Sequence, residues 1–99
     1  MESRDAVVAL AALAQESRLQ VFRLLVQAGA DGLAAGAISR ATGIPPSSLS
    51  FHLKELTHAG LAESRQEGRY VYYRVRVAAM RQLVEFLTLN CCTTPPPAP

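Results

Sequence analysis

Residues 38–74, ISRATGIPPSSLSFHLKELTHAGLAESRQEGRYVYYR, constrain the fold of this chain more than any other stretch. Ile38 and Ala41 punctuate a short helix, and Gly43 permits a sharp turn after it. Pro45 and Pro46 then pre-set the first turn of a second helix, where a missing N–H costs nothing. Gly60 stops that helix, and two strand-like runs follow, residues 61–66 and 70–75, the second rich in β-branched and aromatic residues. Glu67-Gly68 joins them as a hairpin. A helix, a tight turn, a second helix and a two-stranded hairpin together predict a winged helix-turn-helix.

The flanking sequence predicts three further helices. Val7, Leu10, Ala11 and Ala14 recur at i, i+3, i+4 and i+7, so residues 3–14 form a helix with an apolar face that Val8 and Leu13 widen. Ser17 is the expected N-cap of a helix carrying Leu19, Val21, Phe22, Leu24, Leu25 and Val26, and Gly29 its expected end. Residues 33–42 read as the third helix and residues 47–58 as the body of the fourth. Residues 77–89 repeat the amphipathic spacing through Val77, Met80, Leu83, Val84 and Leu87, with Phe86 and Leu89 extending the stripe and Asn90 as a cap. The fold class is therefore mainly α with a small β-hairpin.

A chain of 99 residues has room for one core. Residues 1–92 are expected to form a single DNA-binding and dimerisation domain, and residues 93–99, Thr-Thr-Pro-Pro-Pro-Ala-Pro, a disordered or polyproline-like tail. The first and last helices expose more apolar residues than the winged segment can cover, so they predict a homodimer. Two-fold symmetry would set two recognition helices about 34–36 Å apart, the spacing of successive major grooves.

The net charge of +2 excludes little by itself, but its distribution is informative. Residues 36–76 hold six basic against three acidic side chains, whereas the remainder of the chain is net negative by one. Positive charge thus gathers on the winged segment, as contact with double-stranded operator DNA would require. The apolar run 6–14 imitates a signal peptide, yet Glu2 and Asp5 precede it and it is too short to span a bilayer. A cytoplasmic protein with no membrane partner and reduced cysteines is expected.

With Leu49, Leu53 and Leu56 facing inward, Ser47, Ser48, Ser50, Phe51, His52 and Lys54 occupy the outer arc of the fourth helix. Hydroxyls can donate to phosphates or base edges, Lys54 can pair with a phosphate, and Phe51 either touches a thymine methyl or joins the core. Arg65 and Arg69 flank the hairpin tip, where they could grip phosphate or enter the minor groove. His58 reads as a helix-end residue near free carbonyls. No Cys-X-X-Cys, Ser/His/Asp set or phosphate loop supports an enzyme.

Cys91-Cys92 is the remaining chemical signal. Adjacent cysteines make a strained structural disulfide but a good soft chelate, suited to thiophilic ions and unsuited to Mg²⁺ or Ca²⁺. One chain supplies two sulfurs. Arsenite then takes its third ligand from hydroxide, a small thiol or the other subunit, whereas a monomethylated trivalent arsenical would be fully satisfied. A redox or persulfide switch on the same pair is the alternative, disfavoured by the negative helix end and the lack of an adjacent Lys or Arg.

These residues make the chain resemble the ArsR/SmtB family of dimeric metal- and metalloid-responsive repressors. The resemblance runs through AQESRLQVFRLLVQAG, then ATGIPPSSLSFHLKELTHAGLAESRQEGRYVYYRV, and the closing LNCC. It implies a repressor that holds its operator when empty and releases it on binding an inducer. The family's arsenic-binding cysteines at the start of the recognition helix have no counterpart in Gly43-Ile-Pro-Pro-Ser-Ser. The zinc-binding Asp/Glu and His pairs of the last helix are likewise missing, since only Glu85 is present there. What remains is a likeness to arsenic-responsive members with C-terminal ligands. It implies no intrinsic cofactor, trivalent arsenic or antimony as inducer, and Cys91 and Cys92 as the metalloid ligands.

Overall fold

The computed structural model describes residues 1–93. Five helices, α1 (Ser3–Leu13), α2 (Glu16–Ala28), α3 (Ala35–Thr42), α4 (Pro46–His58) and α5 (Val77–Thr88), surround a three-stranded antiparallel sheet. Its strands are β1 (Leu33–Ala34), β2 (Ala62–Glu67) and β3 (Tyr70–Val75), with β3 in the centre. This is the winged helix-turn-helix that residues 38–74 predict. The tail expectation falls, apart from Thr93, outside the described residues. Among the described residues, no helix is long and apolar enough to cross a membrane.

The turn between α3 and α4 is braced by its own side chains. Gly43 takes the left-handed conformation, φ 75° and ψ 5°, that ends α3. Thr42 Oγ1 donates to the Ile38 carbonyl at 2.8 Å and accepts from the Ile44 N–H at 3.2 Å, while Ser39 Oγ donates to the Ile44 carbonyl at 2.6 Å. Pro45 is the N-cap of α4 and Pro46 its first helical residue, as their fixed φ allows. Leu49, Leu53 and Leu56 turn inward against Val21, Leu25, Ile38 and Leu61, all of them buried. Truncating any of these leucines to alanine removes a full core contact, a loss of about 2–5 kcal/mol in comparable sites.

Three boundaries differ from expectation. Ser17 is not the N-cap of α2: the helix begins two residues earlier, at Glu16, and Gln15 caps it by accepting the Arg18 N–H at 2.8 Å. Residues 33 and 34 are not helical, because they pair with Tyr73 and Tyr72 as β1. The hairpin loop is Gly68–Arg69 rather than Glu67-Gly68, since Glu67 and Tyr70 close the ladder as partners.

The first helix also faces the other way. Its buried residues are Ala6, Ala9 and Ala12, whereas Val7 is 64 % exposed, Val8 47 % and Leu10 41 %. On α5 only Leu83 is buried, with Met80 and Phe86 packed at the edge of the core, and Val84, Leu87 and, just past the helix, Leu89 open to solvent. The two terminal helices touch each other and carry this apolar surface together.

Candidate nucleic-acid interface and the vicinal thiols

The inward leucines of α4 fix what the opposite face presents. Ser47, Ser48, Ser50, Phe51 and Lys54 are exposed, and His52 is half-buried. Phe51 lies outside the core, 55 % exposed, with its ring edge-on to His52 at 5.8 Å between centroids. A single exposed phenyl ring needs no partner by itself, but a partner surface could cover it and bury its apolar area. A thymine methyl in the major groove is one surface that could.

His52 is not free. Its Nδ1 stands 3.4 Å from a terminal guanidinium nitrogen of Arg18, whose Nε donates to the Ala12 carbonyl at 2.7 Å. Sequence reading left Arg18 out. The signal that could have found it is electrostatic, since a cation in the first turn of α2 meets the positive end of that helix dipole. The misfit has a physical reason: Arg18 serves the last carbonyls of α1, at a negative helix end, and reaches from there to the recognition helix.

The wing divides its arginines into two kinds. Arg65 is engaged three ways: with Glu67 at 3.0 Å, with the Asp31 carbonyl at 3.0 Å, and over the Tyr72 ring at 4.9 Å. Arg74 pairs with Glu63 at 2.7 Å across the ladder. These exposed pairs contribute little stability but hold the side chains along the sheet. Arg69 sits at the tip in the two-residue loop and is exposed, so it is the wing residue best placed to reach a backbone phosphate.

Cys91 and Cys92 lie past the end of α5, both free and exposed. Leu89, not Asn90, is the C-cap of α5: its extended backbone, φ −57° and ψ 130°, ends the helix, and Asn90 and Cys92 beyond it take positive φ of 61° and 63°. The Cys91 N–H donates to the Thr88 carbonyl at 2.9 Å, and Thr93 folds back onto the Asn90 carbonyl through its hydroxyl at 3.0 Å. The neighbouring Cys92 thiol, and secondarily desolvation, push the Cys91 thiol above its ordinary value. Among the described residues, no three His, Cys, Asp or Glu side chains gather as a metal site. A soft ion would thus meet two sulfurs and no third His, Cys, Asp or Glu among the described residues of the same protomer.

The family described as "Helix-turn-helix domain" matches residues 13–65. The transcriptional activator HlyU of Vibrio cholerae is 34 % identical over 90 residues, which span 91 % of this chain and 81 % of HlyU. An ArsR-like transcriptional regulator from Rhodococcus superposes with a TM-score of 0.75 at 25 % identity, over 85 % of this chain and 76 % of the other. The homodimeric winged helix-turn-helix DNA-binding domain of Mb0332 from Mycobacterium bovis, a possible ArsR-family regulator, does so at 0.67 and 35 %, over 86 % and 83 %. A possible transcriptional regulator for arsenical resistance follows at 0.66 and 27 %, over 82 % and 84 %. These relatives are transcriptional regulators rather than enzymes. Sequence, fold and the placement of α4 agree, and the chain belongs to the ArsR/SmtB family of winged helix-turn-helix transcriptional regulators.

Proposed function

We propose that the protein is a cytoplasmic, homodimeric repressor that holds operator DNA and releases it when trivalent arsenic or antimony closes on Cys91 and Cys92. The observation that carries the metalloid part is the pair of adjacent, free and exposed thiols just past the end of α5. Arsenite exchanges hydroxide for thiolate, so each thiol proton leaves with a hydroxide as water and no net proton is released. A raised thiol pKa therefore does not oppose the exchange. The redox alternative is disfavoured by placement: the pair follows the negative end of α5 with no adjacent Lys or Arg in sequence to favour a thiolate.

The DNA-contacting residues in this reading are Ser47, Ser48, Ser50, Phe51, His52 and Lys54 of α4, with Arg69 from the wing tip. Arg65 contributes by tying the wing to the Asp31 carbonyl before β1. The test is fluorescence anisotropy on the duplex upstream of the protein's own gene, titrated with arsenite, methylarsenite, antimonite, zinc and peroxide. Arsenite or antimonite should lower affinity by about 5- to 150-fold, the usual range of such coupling. Methylarsenite, which needs only two sulfurs, should act at equal or lower concentration than arsenite. Release by peroxide with none by the metalloids would replace this reading with the redox one.

The homodimer is proposed to form on the apolar surface shared by α1 and α5, as the Mb0332 domain is itself homodimeric. Val7, Leu10, Val84 and Leu87 are its exposed anchors. A Leu10→Glu, Leu87→Glu variant should sediment as a monomer while keeping its helical circular dichroism, and lose about 100-fold or more in operator affinity. A variant that stays dimeric would move the interface elsewhere.

A further inference from the structure

Arg18 and His52 are 34 residues apart in sequence and meet between α2 and α4. A guanidinium carries donors only and stays protonated in proteins, so the imidazole nitrogen facing it can take part only as an acceptor. In the neutral ring an acceptor at Nδ1 places the proton on Nε2. The guanidinium cannot easily swing away, because its Nε is held at 2.7 Å by the Ala12 carbonyl. His52 is half-buried, and its neighbours Phe51 and Ser50 are exposed.

We infer that Arg18 is a positioning residue for sequence reading: it fixes the Nε2–H form of His52, so that the recognition helix presents a hydrogen-bond donor to the major groove. A donor is satisfied by N7 or O6 of guanine, N7 of adenine or O4 of thymine, and it rejects the N4 amino group of cytosine. The opposite tautomer would present an acceptor and invert that choice. Arg18 thereby sets which base edge His52 accepts without touching DNA itself. This inference rests on the proposed DNA-reading role of α4.

Two measurements test it on the intact protein. Long-range ¹⁵N–¹H correlation spectra, taken near pH 8 where imidazole is neutral, should show His52 with bare Nδ1 and protonated Nε2. With only two histidines in the chain, a His58→Asn variant assigns the signals. A dominant Nδ1–H form, or an even mixture, would overturn the inference. Selection from a random duplex pool should then give, for the wild type, one position per half-site that disfavours cytosine. Both His52→Ala and Arg18→Met should flatten that position about 5- to 10-fold, the low end of one base contact, and leave the other positions intact. Preferences unchanged by Arg18→Met, or weakened evenly at every position, would remove the positioning role alone. A wild type that enriches no sequence would remove the DNA-reading role and this inference with it.

Discussion

A Cys91→Ser, Cys92→Ser variant should bind operator as tightly as the wild type and fail to release it with arsenite, so that a 5- to 150-fold response falls to none. Both thiols are exposed and lie beyond the last turn of α5, so their removal takes nothing from the core. Serine keeps size and hydrogen bonding but has no soft lone pair for a thiophilic ion. Either single substitution should also abolish the response to methylarsenite, since one sulfur cannot close a chelate. Arsenite binding by isothermal titration separates sensing from transmission. Heat of binding retained in the double variant would place the metalloid elsewhere, and a retained release would do the same.

Gly32→Ala should unfold the domain at much lower denaturant than the wild type, with a loss of about 3 kcal/mol or more. Two causes add. Gly32 sits at φ 70° and ψ −164°, a region essentially closed to residues with a Cβ. A Cβ built there would also stand 2.2 Å from the Tyr73 carbonyl oxygen in the backbone of β3, which cannot yield as a side-chain tip could. Gly29 supplies the control. It has similar angles, φ 74° and ψ −153°, but nothing within 4 Å of the position of a Cβ. Gly29→Ala should therefore cost only the backbone strain, about 1–3 kcal/mol. Urea titrations of the two variants should differ in midpoint and agree in slope. Equal midpoints would show that the loop relaxes away from β3.

That close approach also explains why the short strand was illegible in the sequence. Residues 33–42, Leu-Ala-Ala-Gly-Ala-Ile-Ser-Arg-Ala-Thr, read as helix throughout, because the pull on Leu33 and Ala34 comes from Tyr73 and Tyr72, some forty residues away. Local pattern was sufficient where burial is local. The spacing of Leu49, Leu53 and Leu56 placed the outer arc of α4 correctly, and Gly43 with Pro45 and Pro46 placed the turn before it. Periodicity misassigned α1 because it weighs size: Val7 and Leu10 outrank Ala6 and Ala9 in hydrophobicity, yet only small side chains fit between that helix and α2, α4 and α5. The candidate site was read as a set of outward residues, and its ties were not. Arg65 looked available from sequence, but Glu67, Tyr72 and the Asp31 carbonyl hold it. Arg18 looked ordinary, but it joins three helices.

The alanine seam of α1 bears on how the protein responds to its own abundance. Each buried methyl contributes on the order of 0.8 kcal/mol, so Ala6, Ala9 and Ala12 anchor an eleven-residue helix only weakly to its own protomer. Isolated helices of that length are marginal in water. In the proposed dimer the larger side chains of α1 are buried by the second copy, so its order and the association equilibrium become linked by mass action. Dilution of the wild type should then lose helical ellipticity along the same curve that sedimentation follows. Repression would fade below a threshold amount of protein even with no inducer present.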